Sequence, residues 1–60
     1  MIRPAISVVI PARDEAASVA AVIAGVRAAL EGEAYEILVV DDGSRDGTGA
    51  LARDAGARVV

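Results

Sequence analysis

The hydrophobic positions of this chain change their spacing as it proceeds, and each change marks a new element. Ala5 to Ile10 (AISVVI) is a short apolar run between Pro4 and Pro11. It predicts a first strand, which Pro11 ends by removing a backbone donor. The spacing then becomes helical, with Val19, Ile23, Val26 and Leu30 on one stripe. A helix from about Glu15 to Leu30 is expected, with Asp14 as N-cap, Glu15 in the dipole-favoured first turn and Gly32 just past the stop. Ile37-Leu38-Val39-Val40 has no polar face at all. It reads as a strand covered on both sides, and Glu36 to Val40 is the predicted second strand. Asp41 to Gly47 is a turn, in which Ser44 or Asp46 is able to cap a short helix up to about Ala55. Gly56 ends that helix, and Arg58 to Val60 begins a third strand.

The order β-α-β-α-β with short connections predicts an α/β unit with a parallel sheet and right-handed crossovers. The loops Pro11–Glu15 and Asp41–Gly47 follow neighbouring strands, so they open at one sheet edge. That edge, at the carboxyl ends of the strands, is where open α/β sheets hold their ligands. Chemistry is expected there.

Composition bounds what else the chain does. Its 60 residues are 55% hydrophobic, which excludes disorder. The apolar content is mostly Ala and Val, however, with Tyr35 the single aromatic residue. Small side chains bury little area at ~25 cal/mol per Å², so an isolated monomer is expected to be marginal. Residues 1–60 read as the amino-terminal, incomplete part of one larger domain, and Met1 is consistent with a true amino terminus. The absence of Cys and His removes disulfides, thiol nucleophiles, Cys/His zinc sites and imidazole bases. A net charge of −3 gives no electrostatic footprint for nucleic acid. Ile6 to Ile10 is too short for a secretory signal, and nothing approaches the ~20 apolar residues of a membrane span. A cytoplasmic location is expected, with any membrane association carried by other parts.

The acidic loop then asks for a partner. Asp41 and Asp42 stand side by side at a strand end, followed by Gly43, Gly47 and Gly49. A carboxylate only accepts hydrogen bonds, so it matches a ligand edge of N–H donors or a sugar diol. The uracil imide and the N1–H/N2–H₂ edge of guanine are such donors; a diphosphate is repelled unless a divalent cation intervenes. An EF-hand beginning at Asp42 fails at its twelfth position, Arg53. A dinucleotide loop would place its glycines after the first strand, and a P-loop needs a Lys that is absent. A receiver-like phosphoacceptor module is the alternative in another class, but its acidic pair follows the first strand. A non-catalytic truncated fragment is a third. Asp14, Ser44 and Asp46 read as cap and turn residues, and Arg45, Arg53 and Arg58 as solvated. Asp42 alone reads as functional rather than structural, because of its place.

The stretches SVVIPARDE (Ser7–Glu15), EILVVDDGSRDGT (Glu36–Thr48) and DAGARVV (Asp54–Val60) together resemble the amino-terminal segment of the family 2 glycosyltransferases. Within them the wording is nearest to the polyprenyl-phosphate (dolichol-phosphate) sugar transferases. Arg13-Asp14 departs from the aromatic-Asn pair that the family often carries before the Glu. The resemblance implies a GT-A, Rossmann-like nucleotide-diphospho-sugar transferase domain. It implies transfer from a UDP- or GDP-sugar, with a polyprenyl phosphate as one acceptor. Pro11, Ala12 and Arg13 would then shape the wall around base and ribose, Glu15 would contact the nucleoside, and Asp42 would accept from the base. Asp41 and Gly43 complete that set, with Asp41 holding the loop more than touching ligand. A divalent cation, Mg or Mn, would be bound by a downstream D-x-D, and the general base would also lie downstream. No metal ligand and no catalytic group is therefore assigned among these residues, and the segment alone is expected to be inactive.

Overall fold

The computed structural model describes residues 4–60, so the expectation for Met1 lies outside the described residues. The chain runs β1 (Ile6–Ala12), α1 (Val19–Ala29), β2 (Tyr35–Asp41), α2 (Thr48–Asp54) and β3 (Arg58–Val59). The strands form one sheet in the order β1-β2-β3. Both pairings are parallel, with Ile6 opposite Tyr35, Ala12 opposite Asp41 and Val39 opposite Val59. The α/β alternation expected from the hydrophobic pattern is the one observed.

Pro11 does not end β1, which continues to Ala12. The reason is the direction of the backbone groups. Ile6 N–H donates to Ala34 C=O at 3.2 Å, and Ala12 C=O accepts from Asp42 N–H at 3.0 Å. The even-numbered residues of β1 thus turn their backbone groups to β2, and odd-numbered Pro11 turns its missing donor to the open edge. An edge strand tolerates proline in that position.

The first helix begins at Val19, not at Glu15, and Asp14 is not its cap. Asp14 has φ of 53°, a left-handed conformation that Asp adopts more readily than most residues. After it Glu15 C=O accepts from Ser18 N–H (3.0 Å) and Val19 N–H (2.8 Å), a lead-in turn before the helix proper. The stripe behaves as its spacing requires. Val19 and Ile23 are buried, and Val26 packs beside them. In α2 the N-cap position belongs to Gly47, while Asp46 accepts the Thr48 N–H from one residue earlier, at 3.1 Å. At the far end of α2, Arg27 Nη1 donates to Ala55 C=O at 2.9 Å. Gly56 has φ of 100°, a left-handed conformation that favours glycine, which is why the stop is a glycine.

Among the described residues the sheet is covered on one side only. Strands laid down in chain order with crossovers of one hand put both helices on the same face. There Ile37, Val39, Ala12 and Ala57 meet Val19 and Ile23 of α1 and Ala52 of α2. On the other face Val9 is 59% exposed, Val40 41% and Val60 70%. The run Ile37–Val40 is apolar on both faces as expected, but within this chain only one of them is packed.

Candidate functional site

The carboxyl edge is built by register. Ala12 sits opposite Asp41, so β1 and β2 release their chains side by side, and the loops that follow meet at once. Asp14 N–H donates to Ser44 Oγ at 2.9 Å, and Arg45 N–H returns a bond to Asp14 Oδ1 at 2.8 Å. Glu15 N–H donates to Thr48 Oγ1 at 2.9 Å, and Ala16 N–H to Asp46 Oδ2 at 3.0 Å. The Thr48 hydroxyl in turn donates to Asp46 Oδ1. Two loops thirty residues apart are thereby fastened by side chains. These bonds lower the proton affinity of Asp46, the Thr48 hydroxyl foremost, against the raising effect of partial desolvation.

The predicted site residues separate into different environments. Asp42 is exposed, and its carboxylate takes no part in the bonds just described. Asp41 is half-buried; its Oδ1 accepts from Ser44 N–H at 3.0 Å, closing the loop on itself. Its Oδ2 lies 2.8 Å from where a Cβ on Gly49 would stand, so Gly49 makes room for that carboxylate. Glu15 is exposed, and one of its oxygens accepts from Ser18 Oγ at 3.0 Å. Pro11, Arg13 and Gly43 are exposed at the same edge, whereas Ala12 is buried. Pro11, Ala12 and Glu15 line a cleft of about 150 Å³ with Ile10, Ser18, Val19 and Val22.

A larger concavity, about 350 Å³, lies at the other edge among Arg27, Tyr35, Glu36, Ile37, Gly56 and Arg58. It flanks the start of β2, where β3 is too short to pair. Size does not make it the candidate: ligands of open α/β sheets bind outside the carboxyl ends of strands. Among the described residues no three acidic side chains converge as a cation requires.

Sequence reasoning missed Thr48 and undervalued Ser44 and Asp46. Thr48 is fully buried, the one polar residue in the core among the described residues. Its signal was a hydroxyl at the start of a short helix whose preceding loop already carried the turn formers.

Comparison with known proteins gives the family. The model of the family described as glycosyl transferase family 2 matches residues 7–60. The undecaprenyl-phosphate 4-deoxy-4-formamido-L-arabinose transferase of Aeromonas hydrophila is 46% identical over 54 residues, 87% of this chain and 17% of that protein. The glucosyl-3-phosphoglycerate synthase of Mycolicibacterium paratuberculosis is equally similar, 46% over 55 residues, covering 92% of this chain and 17% of its own length. A solved glucosyl-3-phosphoglycerate synthase from Mycobacterium tuberculosis, in complex with Mn2+, UDP and glucosyl-3-phosphoglycerate, superposes with a TM-score of 0.80 and 41% identity. That match covers 95% of this chain and 20% of the solved one. The chain thus spans about a sixth of the curated relatives it matches. By its family model, its relatives and its parallel GT-A unit, the chain belongs to glycosyltransferase family 2.

Proposed function

We propose that this chain supplies the nucleoside end of the donor site in an enzyme that transfers a sugar from a nucleotide diphosphate to an acceptor. Asp42 accepts a hydrogen bond from the N–H edge of the base. Pro11, Ala12, Arg13 and Glu15 form the wall beside it, and Gly43 lets the backbone approach. Asp41 serves the site by holding the Asp42 loop in its turn. The observation that carries this reading is the exposed Asp42 carboxylate at the carboxyl edge, bonded to no side chain among the described residues, beside a second loop fastened to its own.

The donor is a UDP-sugar: the solved relative holds UDP, and uracil offers the single imide N–H that one carboxylate matches. The acceptor bears a phosphate, as the names of both relatives do. A divalent cation, Mg or Mn, belongs to the diphosphate end and is held by residues outside this chain, as is the general base. Among the described residues no helix is long and apolar enough to cross a membrane; a cytoplasmic reaction is a separate part of this proposal. No observation favours the receiver-like alternative, whose acidic pair would follow the first strand rather than β2.

Calorimetry with UDP and GDP on the whole protein tests the reading. Asp42→Ala is expected to weaken UDP by roughly ten- to a hundredfold, the loss of a charge-assisted hydrogen bond worth about 1.5–3 kcal/mol. Asp41→Ala should cost less. Equal and small losses in both variants sink the assignment, and stronger binding of GDP would replace uracil by guanine.

A further inference from the structure

We propose that Thr48 and Asp46 are positioning residues: together they fix the Asp14–Ala16 turn, and with it Glu15, against the loop that carries Asp42. This rests on the nucleoside reading above.

The argument begins from unpaired donors. Asp14, Glu15 and Ala16 are successive residues ahead of α1, where backbone N–H groups have no helical acceptor. All three are satisfied, and every acceptor comes from the other loop: Ser44 Oγ, Thr48 Oγ1 and Asp46 Oδ2. A hydroxyl has one donor and two acceptor positions. The Thr48 hydroxyl spends its donor on Asp46 Oδ1, so its lone pairs are left for Glu15 N–H. Asp46 is the hinge of the arrangement, because its second oxygen takes Ala16 N–H. Thr48 is fully buried, so water cannot replace its hydroxyl.

The geometry also separates holding from binding. Asp46 and Thr48 engage the backbone of the turn, while the Glu15 side chain stays exposed at the cleft it lines with Pro11 and Ala12. Neither residue's side chain bonds to a strand, and β1 and β2 pair through their own residues. Loss of the Thr48 hydroxyl would free Glu15 N–H and let the turn swing away from Asp42, without removing any group that touches the nucleoside.

The test uses the whole protein with Thr48→Val, Thr48→Ser and Asp46→Asn. It reads UDP affinity by calorimetry, thermal unfolding, and amide hydrogen exchange at Glu15, Ala16 and Val39. Valine keeps the shape of threonine and loses the hydroxyl. Thr48→Val is expected to weaken UDP about tenfold, the effect of one lost buried hydrogen bond. Glu15 exchange should accelerate while Val39 stays protected, and Thr48→Ser should restore both. Asp46→Asn covers the case in which Thr48→Val fails to fold: its side-chain nitrogen cannot accept Ala16 N–H, and the exposed position tolerates the change. It should accelerate exchange at Ala16, whose N–H it leaves unbonded, with a smaller loss of UDP affinity. Unchanged exchange at Glu15 in Thr48→Val, or at Ala16 in Asp46→Asn where Thr48→Val does not fold, overturns the proposal whatever the nucleotide result. So does faster exchange with wild-type UDP affinity, or a Thr48→Ser protein no better than Thr48→Val. Wild-type protein that ignores UDP and GDP alike removes the nucleoside reading, and the functional part of this inference with it; Glu15 exchange still reports separately on the fastening.

Discussion

The two faces of the sheet and its carboxyl edge are held by opposite means. On the helix side Ile23 and Val39 are wholly buried, and cohesion there comes from apolar area. On the bare side Val9, Val40 and Val60 meet solvent. At the edge the two loops are joined by polar bonds from Ser44, Asp46 and Thr48 to the backbone of the other loop. Apolar packing is non-directional and tolerates some slip; hydrogen bonds fix distance and angle. The chain therefore puts its directional interactions where geometry would matter for a ligand, and leaves the scaffold beneath them thinly covered.

The largest expected effect separates the two faces. Ile23→Ala removes a buried side chain and should cost about 2–5 kcal/mol. That is enough to unfold the 60-residue chain, whose core is small and whose outer face is open. Val9→Thr, on the open face, should change the same chain by less than about 0.5 kcal/mol. Circular dichroism decides: the first variant should lose its helical signal, the second should keep what the parent has. A Val9→Thr loss equal to that of Ile23→Ala would mean that the outer face is packed in solution, and the contrast between faces would disappear. The same measurement checks the parent chain, which is expected to be only marginally folded.

A second, smaller effect joins scaffold to edge. Gly49 lies in the first turn of α2, and alanine there would gain up to about 1 kcal/mol of helix propensity. Its Cβ would also come within 2.8 Å of Asp41 Oδ2. That carboxylate is not free to move, because its other oxygen holds Ser44 N–H. Overpacking costs about 1–3 kcal/mol, so Gly49→Ala should be net destabilising by about 1 kcal/mol in urea unfolding of the whole protein. A stabilised variant would show that Asp41 gives way easily and does not hold the Asp42 loop.

The same contrast explains what could be read from residue order. Apolar spacing gave the alternation of strands and helices, because each period reports directly on local structure. It located the acidic pair at the carboxyl edge for the same reason. Element ends were less legible: whether Pro11 stops a strand depends on which side its missing donor faces, a property of the sheet. That one face of β2 would stay bare was hidden as well, since Ile37–Val40 is apolar on both faces whichever side the helices take. The fastening of the loops was least legible. Asp14, Ser44, Asp46 and Thr48 all have residue types that cap and turn locally, and here they act across thirty residues instead.

The smallest expected effect is one of pH, and it tests the edge alone. The bonds from Thr48 and from the backbone of Ala16 hold the Asp46 carboxyl below its ordinary value in the folded protein. In the unfolded chain those bonds are gone, and Asp46 takes up its proton near ~3.9. The folded state thus binds the proton less readily, so the contribution of Asp46 to stability is fully present above about pH 4 and fades as pH falls through the lower, folded value. Asparagine at this position has no proton to gain. Urea midpoints followed from about pH 6 down to pH 2 should therefore fall more steeply for the wild type than for Asp46→Asn, with the two curves converging at the acid end. Because Asp46 is exposed, solvent screening keeps the gap small. Parallel curves would mean that the carboxylate is no better bonded in the folded state than in water. The edge would then be held by Ser44 and the Thr48 hydroxyl without Asp46.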